Sequence, residues 1–275
     1  MINLIKKNLI FLKIFSILFL LSNCSYTNSN KDKPQLSDVE IYSKGLASLK
    51  KGNLKEATVK FDDVFLNHPF SSLAPKSEIM SAYSLYQSNE IKKAVTKLVS
   101  YIEMNPKGEL TEYAHYLLAM CYYAGVSSED RDPGASIKSL NYFKLIITKY
   151  PKSKYAKDAK LKIHFLKNTL AKNELNIGKF YLRKGAPASS IKRFKSILQN
   201  YQNTSVIPET LYRLSEAFLL LGLKDEAIKS TALLNYNFSD NDWTKLSKSL
   251  LKNKTELDQN KDNEFSITNY FKEFF

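Results

Sequence analysis

The stretch KKGNLKEATVKFDDVFLNHP at residues 50–69 is repeated in altered form as YQSNEIKKAVTKLVSYIEMNP at residues 86–106. Gly52 of the first copy aligns with Asn89 of the second, and the other matched positions are separated by the same 37 residues. Self-similarity at a fixed period of this size is typical of solenoids built from stacked helical units. The sequence therefore predicts a repeat protein.

The apolar residues inside the first copy follow a helical period. Leu54, Ala57, Phe61 and Val64 occupy positions i, i+3, i+7 and i+10, which lie on one face of a helix. The glycine before this helix permits the left-handed conformation that ends the preceding helix. Later copies are identified by residues in equivalent positions: Phe143, Gly185, Phe194, Gly222, Ala227 and Thr231.

This order of helix A, tight turn, helix B and second turn is the tetratricopeptide pattern. We predict an all-α fold, a right-handed tetratricopeptide-repeat solenoid of about five helix pairs. The alternative is an all-helical bundle whose copies agree by coincidence, and the register of about five copies argues against it. The third copy carries an insertion, AGVSSEDRDPGAS, which is predicted to be a turn-rich loop.

The N-terminus combines a positive start with a short apolar run that stops at Cys24. The apolar segment at residues 9–21 is too short to span a bilayer comfortably, since a spanning helix takes about 20 apolar residues. These features predict a secretory signal peptide. The ending LSNC at residues 21–24 resembles the bacterial lipobox, which implies that Cys24 is lipidated and begins the mature chain. An ordinary signal peptide with an incidental cysteine, or an uncleaved anchor, is the alternative.

The chain divides into five predicted segments. They are a signal peptide at 1–23, a lipidated cysteine and flexible tether at 24–37, repeats 1–3 at 38–151, repeats 4–5 at 152–240, and a capping helix, linker and aromatic tail at 241–275. The polar sequence of the tether suits a domain held near a membrane. For the aromatic tail, docking on the solenoid and binding a partner remain alternatives.

The charge balance is strongly basic, with 41 Lys and Arg against 27 Asp and Glu and a formal net charge of +14. Only four of the basic residues are arginines, which are preferred for bidentate contacts to phosphates and guanine. The lysines are scattered over the helices. We therefore expect no nucleic-acid partner, and we favour attraction to anionic lipid or to an acidic partner.

The sequence contains no recognisable catalytic constellation. His68, His115 and His164 are far apart in the chain, and packing is the better interpretation of each than a metal site. There is no Gly-rich phosphate loop, and no Ser or Cys has a base-bearing motif. Cys121 is predicted to be a small buried hydrophobe. We expect a binding scaffold rather than an enzyme, with no metal and no cofactor apart from covalent lipid.

The A helices of a tetratricopeptide solenoid line its concave side, and those of the first three repeats are rich in tyrosine. A groove lined with tyrosines offers rigid apolar area with polar tips, which suits extended peptides. The alternative is that half of these tyrosines pack between repeats. The tyrosines predicted to face the groove are Tyr42, Tyr83, Tyr86, Tyr113, Tyr116 and Tyr123.

Three stretches resemble the BamD family, the lipoproteins of the outer-membrane β-barrel assembly (BAM) machinery. They are HPFSS at 68–72, RDP at 131–133, and KYPKSKYAKDAKLKIHFLKNTLAKNELNIGKFYLRKGA at 149–186. The resemblance covers the mature chain to about residue 240. It implies that Cys24 carries an N-palmitoyl and an S-diacylglycerol group and that the protein faces the periplasm from the outer membrane. Serine at position 25 favours that membrane by analogy with lipoprotein sorting.

The resemblance also implies partners. The C-terminal repeats would hold the last POTRA domain of BamA beside other BAM lipoproteins, and the N-terminal repeats would receive unfolded barrel precursors. Within IKRFKSIL, Arg193 would form an ion pair across the BamA interface. The FKEFF of the tail resembles the aromatic signal of a precursor and is a hypothetical occupant of the groove. The alternative is a periplasmic tetratricopeptide lipoprotein of another envelope system, such as pilus assembly or cell-wall coordination.

Overall fold

The structure, a computed structural model, describes residues 36–126 and 133–258. The predicted signal peptide, Cys24 and most of the predicted tether, most of the RDP motif, and the predicted aromatic tail lie outside these residues. The described ranges form eleven α-helices and no strands. The helices are α1 Asp38–Lys50, α2 Leu54–Asn67, α3 Ala74–Gln87, α4 Ile91–Met104, α5 Thr111–Ala124, α6 Gly134–Lys149, α7 Ala156–Arg183, α8 Pro187–Asn200, α9 Ile207–Leu220, α10 Lys224–Asn237 and α11 Asp242–Asp258.

Each helix packs against the next one in the chain, and α11 packs against both α9 and α10. Short connections between neighbouring helices make them antiparallel. The pairs α1–α2, α3–α4, α5–α6, α7–α8 and α9–α10 correspond to the five predicted repeats, and α11 covers the end of the last pair. The predicted all-α tetratricopeptide solenoid is confirmed.

The turns inside the helix pairs need a left-handed residue, as the repeat pattern predicts. The backbone φ angle is +79° at Gly52, +70° at Gly185 and +74° at Gly222. Asn89 takes the same conformation, with φ +62°, because asparagine tolerates this region better than most residues with a side chain. The helices α2, α4 and α6 each stop two residues before a proline.

The apolar face predicted for helix B forms the core of each repeat. Ala57, Phe61 and Val64 of α2 are fully buried, and so are Ala94 and Leu98 of α4. Burying a phenylalanine or leucine side chain stabilises the fold by roughly 1.5–3 kcal/mol. Since each B helix packs between two A helices, these residues join neighbouring repeats as well as filling their own.

Two glycines of the A helices make room for the rings of the B helices. A Cβ atom at Gly178 would lie 2.3 Å from the Phe194 ring, and one at Gly45 would lie 2.8 Å from the Phe61 ring. Both phenylalanines are completely buried. The first and fourth repeats therefore use glycine for close helix contact.

Helix α7 spans 28 residues and joins the two halves of the solenoid. Its first half contributes Ala159 and Leu166 to a core shared with the third repeat. Its second half contributes Ala171 and Leu175 to the core of the last two repeats. This one helix therefore contributes to two hydrophobic cores.

The connections alternate between the two ends of the helices, and because α7 is about twice as long as its neighbours, the turn at 201–206 lies beside Asn168 in the middle of α7. We call the edge where the odd-numbered helices begin the leading edge, and its turns are residues 68–73, 105–110, 150–155, 201–206 and 238–241. The opposite edge, where those helices end, is the trailing edge, with turns that include residues 51–53, 88–90, 184–186 and 221–223.

Serines in the leading-edge turns fasten each turn to the start of an earlier odd-numbered helix. Ser71 Oγ donates a hydrogen bond to Asp38 Oδ2 at 2.5 Å, and Ser153 Oγ donates one to Glu112 Oε1. A related contact joins the fourth and fifth repeats through Asn168, whose Oδ1 accepts from the backbone N–H of Ser205 at 2.9 Å. These polar contacts link adjacent repeats at their rim.

Helix α11 lies in the segment 241–275, where a capping helix followed by a linker is predicted. It runs from Asp242 to Asp258. The sequence from 254 to 258 contains no glycine or proline to stop the helix. Near its start, the Trp243 ring packs against Tyr212, with ring centroids 5.2 Å apart.

Candidate functional site

The groove tyrosines on α3 and α5 form one cluster, which also includes residues of α7. Tyr116 of α5 stacks on Tyr155, with ring centroids 4.5 Å apart and an interplanar angle of 21°. Tyr113, one turn earlier, lies 5.5 Å from the same ring. Burial raises the pKa of Tyr113 most, and the neighbouring Tyr155 raises it further. Tyr83 and Tyr86 of α3 make smaller contributions in the same direction, so they also lie near Tyr113.

The far end of the cluster is built on the first turns of α7. Lys162 Nζ lies 5.4 Å from the centroid of the Tyr123 ring, in a cation–π arrangement. The ring of Phe165, which is half exposed, lies 5.8 Å from Tyr123. Five of the six predicted tyrosines therefore face a common surface with Lys162 and Phe165, and we call this set the tyrosine groove.

A polar network crosses the tyrosine groove. The Tyr116 hydroxyl donates a hydrogen bond to Asp158 Oδ2 at 2.7 Å, and Lys162 Nζ donates one to Asp158 Oδ1 at 2.8 Å. Burial opposes ionisation of Asp158, but the hydrogen bonds from Lys162 and Tyr116 outweigh it and lower its pKa. The network fixes the orientation of Tyr116 against α7.

Three tyrosines of the groove have a raised pKa and keep their hydroxyl protons at physiological pH. Burial raises the pKa of Tyr86, Tyr113 and Tyr116 above the usual value for tyrosine, and the carboxylate of Asp158 adds to the effect at Tyr116. Each ring therefore presents apolar area together with an O–H group that can donate and accept hydrogen bonds. Such a surface can bind extended chain segments whatever the sign of their net charge.

Tyr42, the sixth predicted tyrosine, lies apart from this cluster. Its side chain is buried in the core of the first repeat, where its ring centroid is 5.4 Å from that of Phe61. Lys76 Nζ lies 5.8 Å from the centre of the Tyr42 ring. Tyr42 therefore packs in the hydrophobic core of the first repeat and does not face the groove.

Arg193 lies on α8, away from the tyrosine groove. Its Nη1 atom is 3.2 Å from both carboxylate oxygens of Glu174 on α7. The Arg193 side chain is 41% exposed. The guanidinium thus has a partner within the chain and also an open side, a combination that the sequence did not predict.

The remaining candidate groups show no catalytic arrangement in the described residues. His115 packs between the rings of Tyr142 and Tyr150, and its burial, with a smaller effect of Lys149, lowers its pKa. Burial raises the pKa of the Cys121 thiol to about 12, as expected for a small buried hydrophobe. No group of three or more His, Cys, Asp or Glu side chains that could bind a metal occurs in residues 36–126 and 133–258.

Four residues of the groove were not among the sequence predictions: Tyr155, Asp158, Lys162 and Phe165. The signal that could have identified them is the spacing of Tyr155, Asp158 and Lys162, which places all three on one face at the start of a helix. Alignment of the repeats does not identify them, because the first half of α7 is an extension that the shorter A helices of the other repeats lack.

Within the described ranges, no helix has the length and apolar character needed to cross a membrane. The YfiO family model, described as an outer membrane lipoprotein, matches residues 34–233. The outer membrane protein assembly factor BamD of Rickettsia prowazekii is 38% identical over 213 residues, which cover 78% of this chain and 85% of that protein. The BamD of Caulobacter vibrioides is 36% identical over 203 residues, covering 74% of this chain and 67% of that protein.

Among solved structures, the complex of the TPR2AB domain of yeast Sti1 with pHSP90 has a TM-score of 0.44 to this chain at 13% sequence identity. The match covers 79% of this chain and 84% of the Sti1 chain.

Proposed function

The chain belongs to the BamD family of outer membrane lipoproteins, and from this premise we propose that it is a scaffold of outer-membrane β-barrel assembly. In this role it binds BamA and unfolded barrel precursors and promotes their folding and insertion into the outer membrane. It acts by binding, without a catalytic step. The observation that carries the proposal is the tyrosine groove. Its aromatic rings come from several helices, and a surface of this extent suits a chain segment better than a small substrate.

The groove supports precursor binding through its chemistry. Tyr113 and Tyr116 present half-buried aromatic area, and Phe165 adds an exposed ring beside Lys162. An unfolded barrel strand alternates apolar and polar side chains, so it can place aromatic groups against these rings and its backbone against the hydroxyl groups. Lys162 is paired with Asp158, so the groove offers these polar groups without a large net charge.

The face around Arg193 supports the second task, which is holding the last POTRA domain of BamA. The guanidinium is exposed and is already oriented by Glu174. A carboxylate of the partner would approach its open side and form a second charge-assisted hydrogen bond. Other lipoproteins of the machinery would share the remaining surface of the C-terminal repeats.

The proposed attachment to the membrane is covalent. Cys24 would carry an N-palmitoyl and an S-diacylglycerol group, and the protein would face the periplasm from the outer membrane. One acyl chain gives only marginal membrane binding, and several chains give firm attachment. The proposal contains no other cofactor.

Co-purification tests the proposed function. The chain is tagged at residue 275, the envelope is solubilised in mild detergent, and the proteins that purify with it are identified. A POTRA-bearing barrel protein in near-equal amount supports the proposal. Its absence, with the chain still in the outer-membrane fraction, would leave a helical scaffold of another envelope system. Mass spectrometry of the mature N-terminus tests lipidation of Cys24 separately.

A further inference from the structure

The chain enters the solenoid at the leading edge. Helix α1 begins at Asp38, whose carboxylate accepts a hydrogen bond from Ser71 in the first leading-edge turn. In the sequence, twelve residues lie between Cys24 and Ser37, which precedes α1. A peptide of twelve residues spans at most about 40–45 Å even when it is fully extended. If Cys24 is lipidated as proposed, the leading edge is the part of the fold that the tether holds nearest to the lipid.

Large apolar side chains project from the first two turns of this edge. Phe70 is 102% exposed, which means that its ring meets no other part of the described structure. Leu66 at the end of α2 is 69% exposed, and Met104 at the end of α4 is 56% exposed. A fully exposed phenylalanine in a turn contributes nothing to the core, and it is typical of a residue that enters an apolar phase or an interface.

The third turn of the same edge is basic. The exposed residues Lys149, Lys152, Lys154 and Lys157 lie in or beside residues 150–155. Three of them line an open depression of about 530 Å³ together with Tyr150, Pro151, Ser153 and Glu112. No carboxylate in the described part of the chain is ion-paired with any of the four. The one acid of the depression, Glu112, accepts a hydrogen bond from Ser153.

At the third turn the two nearby acids, Glu112 and Asp158, are outnumbered by the four lysines, whereas the other turns carry fewer lysines relative to acids. Glu103 and Glu109 flank the second turn, where Lys107 lies between them. Asp240 and Asp242 belong to the last turn, and Asp242 is paired with Lys245. The positive charge is therefore greatest at the third turn, and the fully exposed ring is at the first.

We propose that the leading edge between residues 66 and 157 docks on an anionic phospholipid surface. Lys149, Lys152 and Lys154 bind headgroup phosphates, and Phe70 enters the boundary between headgroups and acyl chains. Lysines suit this task because each is a flexible point charge that does not require one ligand geometry. Basic residues near an anionic surface combined with an inserted apolar side chain are the elements of interfacial binding. The inference rests on the proposed function, because the proposed lipid anchor at Cys24 is what brings the leading edge close to the membrane.

The test measures the position of residue 70 relative to lipid. A Phe70→Cys chain is purified from the envelope with its own N-terminus, labelled with an environment-sensitive fluorophore and reconstituted on vesicles. The vesicles contain phosphatidylcholine, with or without phosphatidylglycerol. Labelling is selective because Cys121 is buried, and the unsubstituted chain reports any label on Cys24. We expect a blue shift of emission, and quenching by brominated acyl chains, on the anionic vesicles.

Two matched controls separate docking from general attraction. A probe at Leu221→Cys, on the trailing edge, is expected to remain in water. Replacing Lys149, Lys152 and Lys154 with Gln should lower the docking equilibrium by about a hundredfold, because each lysine near an anionic surface is worth about fivefold. The control triple Lys51→Gln, Lys55→Gln and Lys92→Gln, on the trailing side, should leave it unchanged.

Either of two results overturns the inference. One is a probe at residue 70 that stays in water on anionic vesicles. The other is a blue shift that survives removal of the three leading-edge lysines. In both cases the chain can still sediment with the vesicles, which would leave the lipid anchor intact, and co-purification with BamA is unaffected. Failure of docking is therefore distinct from failure of the proposed function.

Discussion

Arg193 of α8 and Glu174 of α7 form a fork-like pair, in which one guanidinium nitrogen lies 3.2 Å from each carboxylate oxygen. The pair joins the two helices of the fourth repeat. With side chains 41% and 25% exposed, its contribution to stability is limited to about 0.2–1 kcal/mol. Arg193 is also the residue proposed to meet BamA. Its ion pair with Glu174 and its proposed contact with BamA can be tested separately by exchanging the charged residues at positions 174 and 193.

The first prediction concerns this exchange. Arg193→Glu places two carboxylates together and should both weaken the repeat slightly and reduce co-purification of BamA. Adding Glu174→Arg rebuilds an ion pair within the chain with its polarity reversed. We expect the double variant to recover the unfolding midpoint in urea but not the complex. Recovery of the complex as well would mean that Arg193 acts only within the repeat.

The second prediction concerns the tyrosine groove. Changing Tyr83 and Tyr86 to Ala together should weaken binding of a labelled peptide from an unfolded barrel precursor by about tenfold or more, since buried aromatic contacts dominate such interfaces. Fluorescence anisotropy measures the affinity. Tyr236→Ala, at a 70% exposed position on α10, is the matched control and should bind normally.

A companion variant, Tyr42→Ala, distinguishes packing from binding. Because Tyr42 is buried against Phe61, its loss should lower the free energy of unfolding by about 3 kcal/mol or more. Peptide affinity measured below the unfolding transition should change little. Strong loss of affinity in a folded Tyr42→Ala chain would place this residue back in the groove.

The third prediction concerns the close approach of α7 and α8. In Gly178→Ala the new methyl group would lie 2.3 Å from the Phe194 ring, which is fully buried and has no room to move. We expect a net destabilisation of about 1–2 kcal/mol, because overpacking outweighs the helix propensity gained. Gly125→Ala is the control, since its Cβ meets nothing closer than 3.5 Å, and it should be nearly neutral. Chemical denaturation compares the two.

The fourth prediction is a pH dependence. The hydrogen bond from Tyr116 helps to hold the pKa of Asp158 below its usual value of 3.8. A lowered folded-state pKa contributes stability above the unfolded pKa, and this stability is lost as the pH falls through the folded pKa. Tyr116→Phe should therefore cost about 1 kcal/mol at pH 7. The cost should shrink below about pH 4, where Asp158 begins to be protonated.

Urea unfolding at neutral and acidic pH checks this result. Tyr122→Phe is a suitable control, because Tyr122 stacks on Tyr142, at a centroid distance of 5.7 Å, rather than on the Asp158 network. A cost for Tyr116→Phe that stays constant with pH would show that the hydroxyl stabilises something other than the ionised carboxylate.

Repeat periodicity predicts much of this fold because the same physical requirement recurs in every unit. Phe61, Phe143 and Phe194 occupy equivalent positions, and each is completely buried between an A helix and its neighbours. The left-handed turn is equally predictable, because glycine and asparagine adopt a positive φ angle at lower cost than most other residue types, and they occupy positions 52 and 89. These features depend only on local sequence, and they can be recognised by aligning the repeats with one another.

Features that depend on contacts between distant residues could not be predicted in this way. Burial of Tyr42 is decided by the ring of Phe61 across the helix pair. The partner of Arg193 lies 19 residues earlier, on another helix. Periodicity assigns a residue to a face of a helix, but the neighbour opposite that face is chosen by the packing of two elements.

The unbroken length of α7 has a mechanical consequence. Asp158, at the rim of the tyrosine groove, and Glu174, beside Arg193, are separated by about 24 Å along one rod of rise 1.5 Å per residue. The rod has no proline and no break between these two points. A tilt imposed on α7 at Asp158 is therefore carried along the helix to Glu174, so the orientation of the tyrosine groove is coupled to that of Arg193.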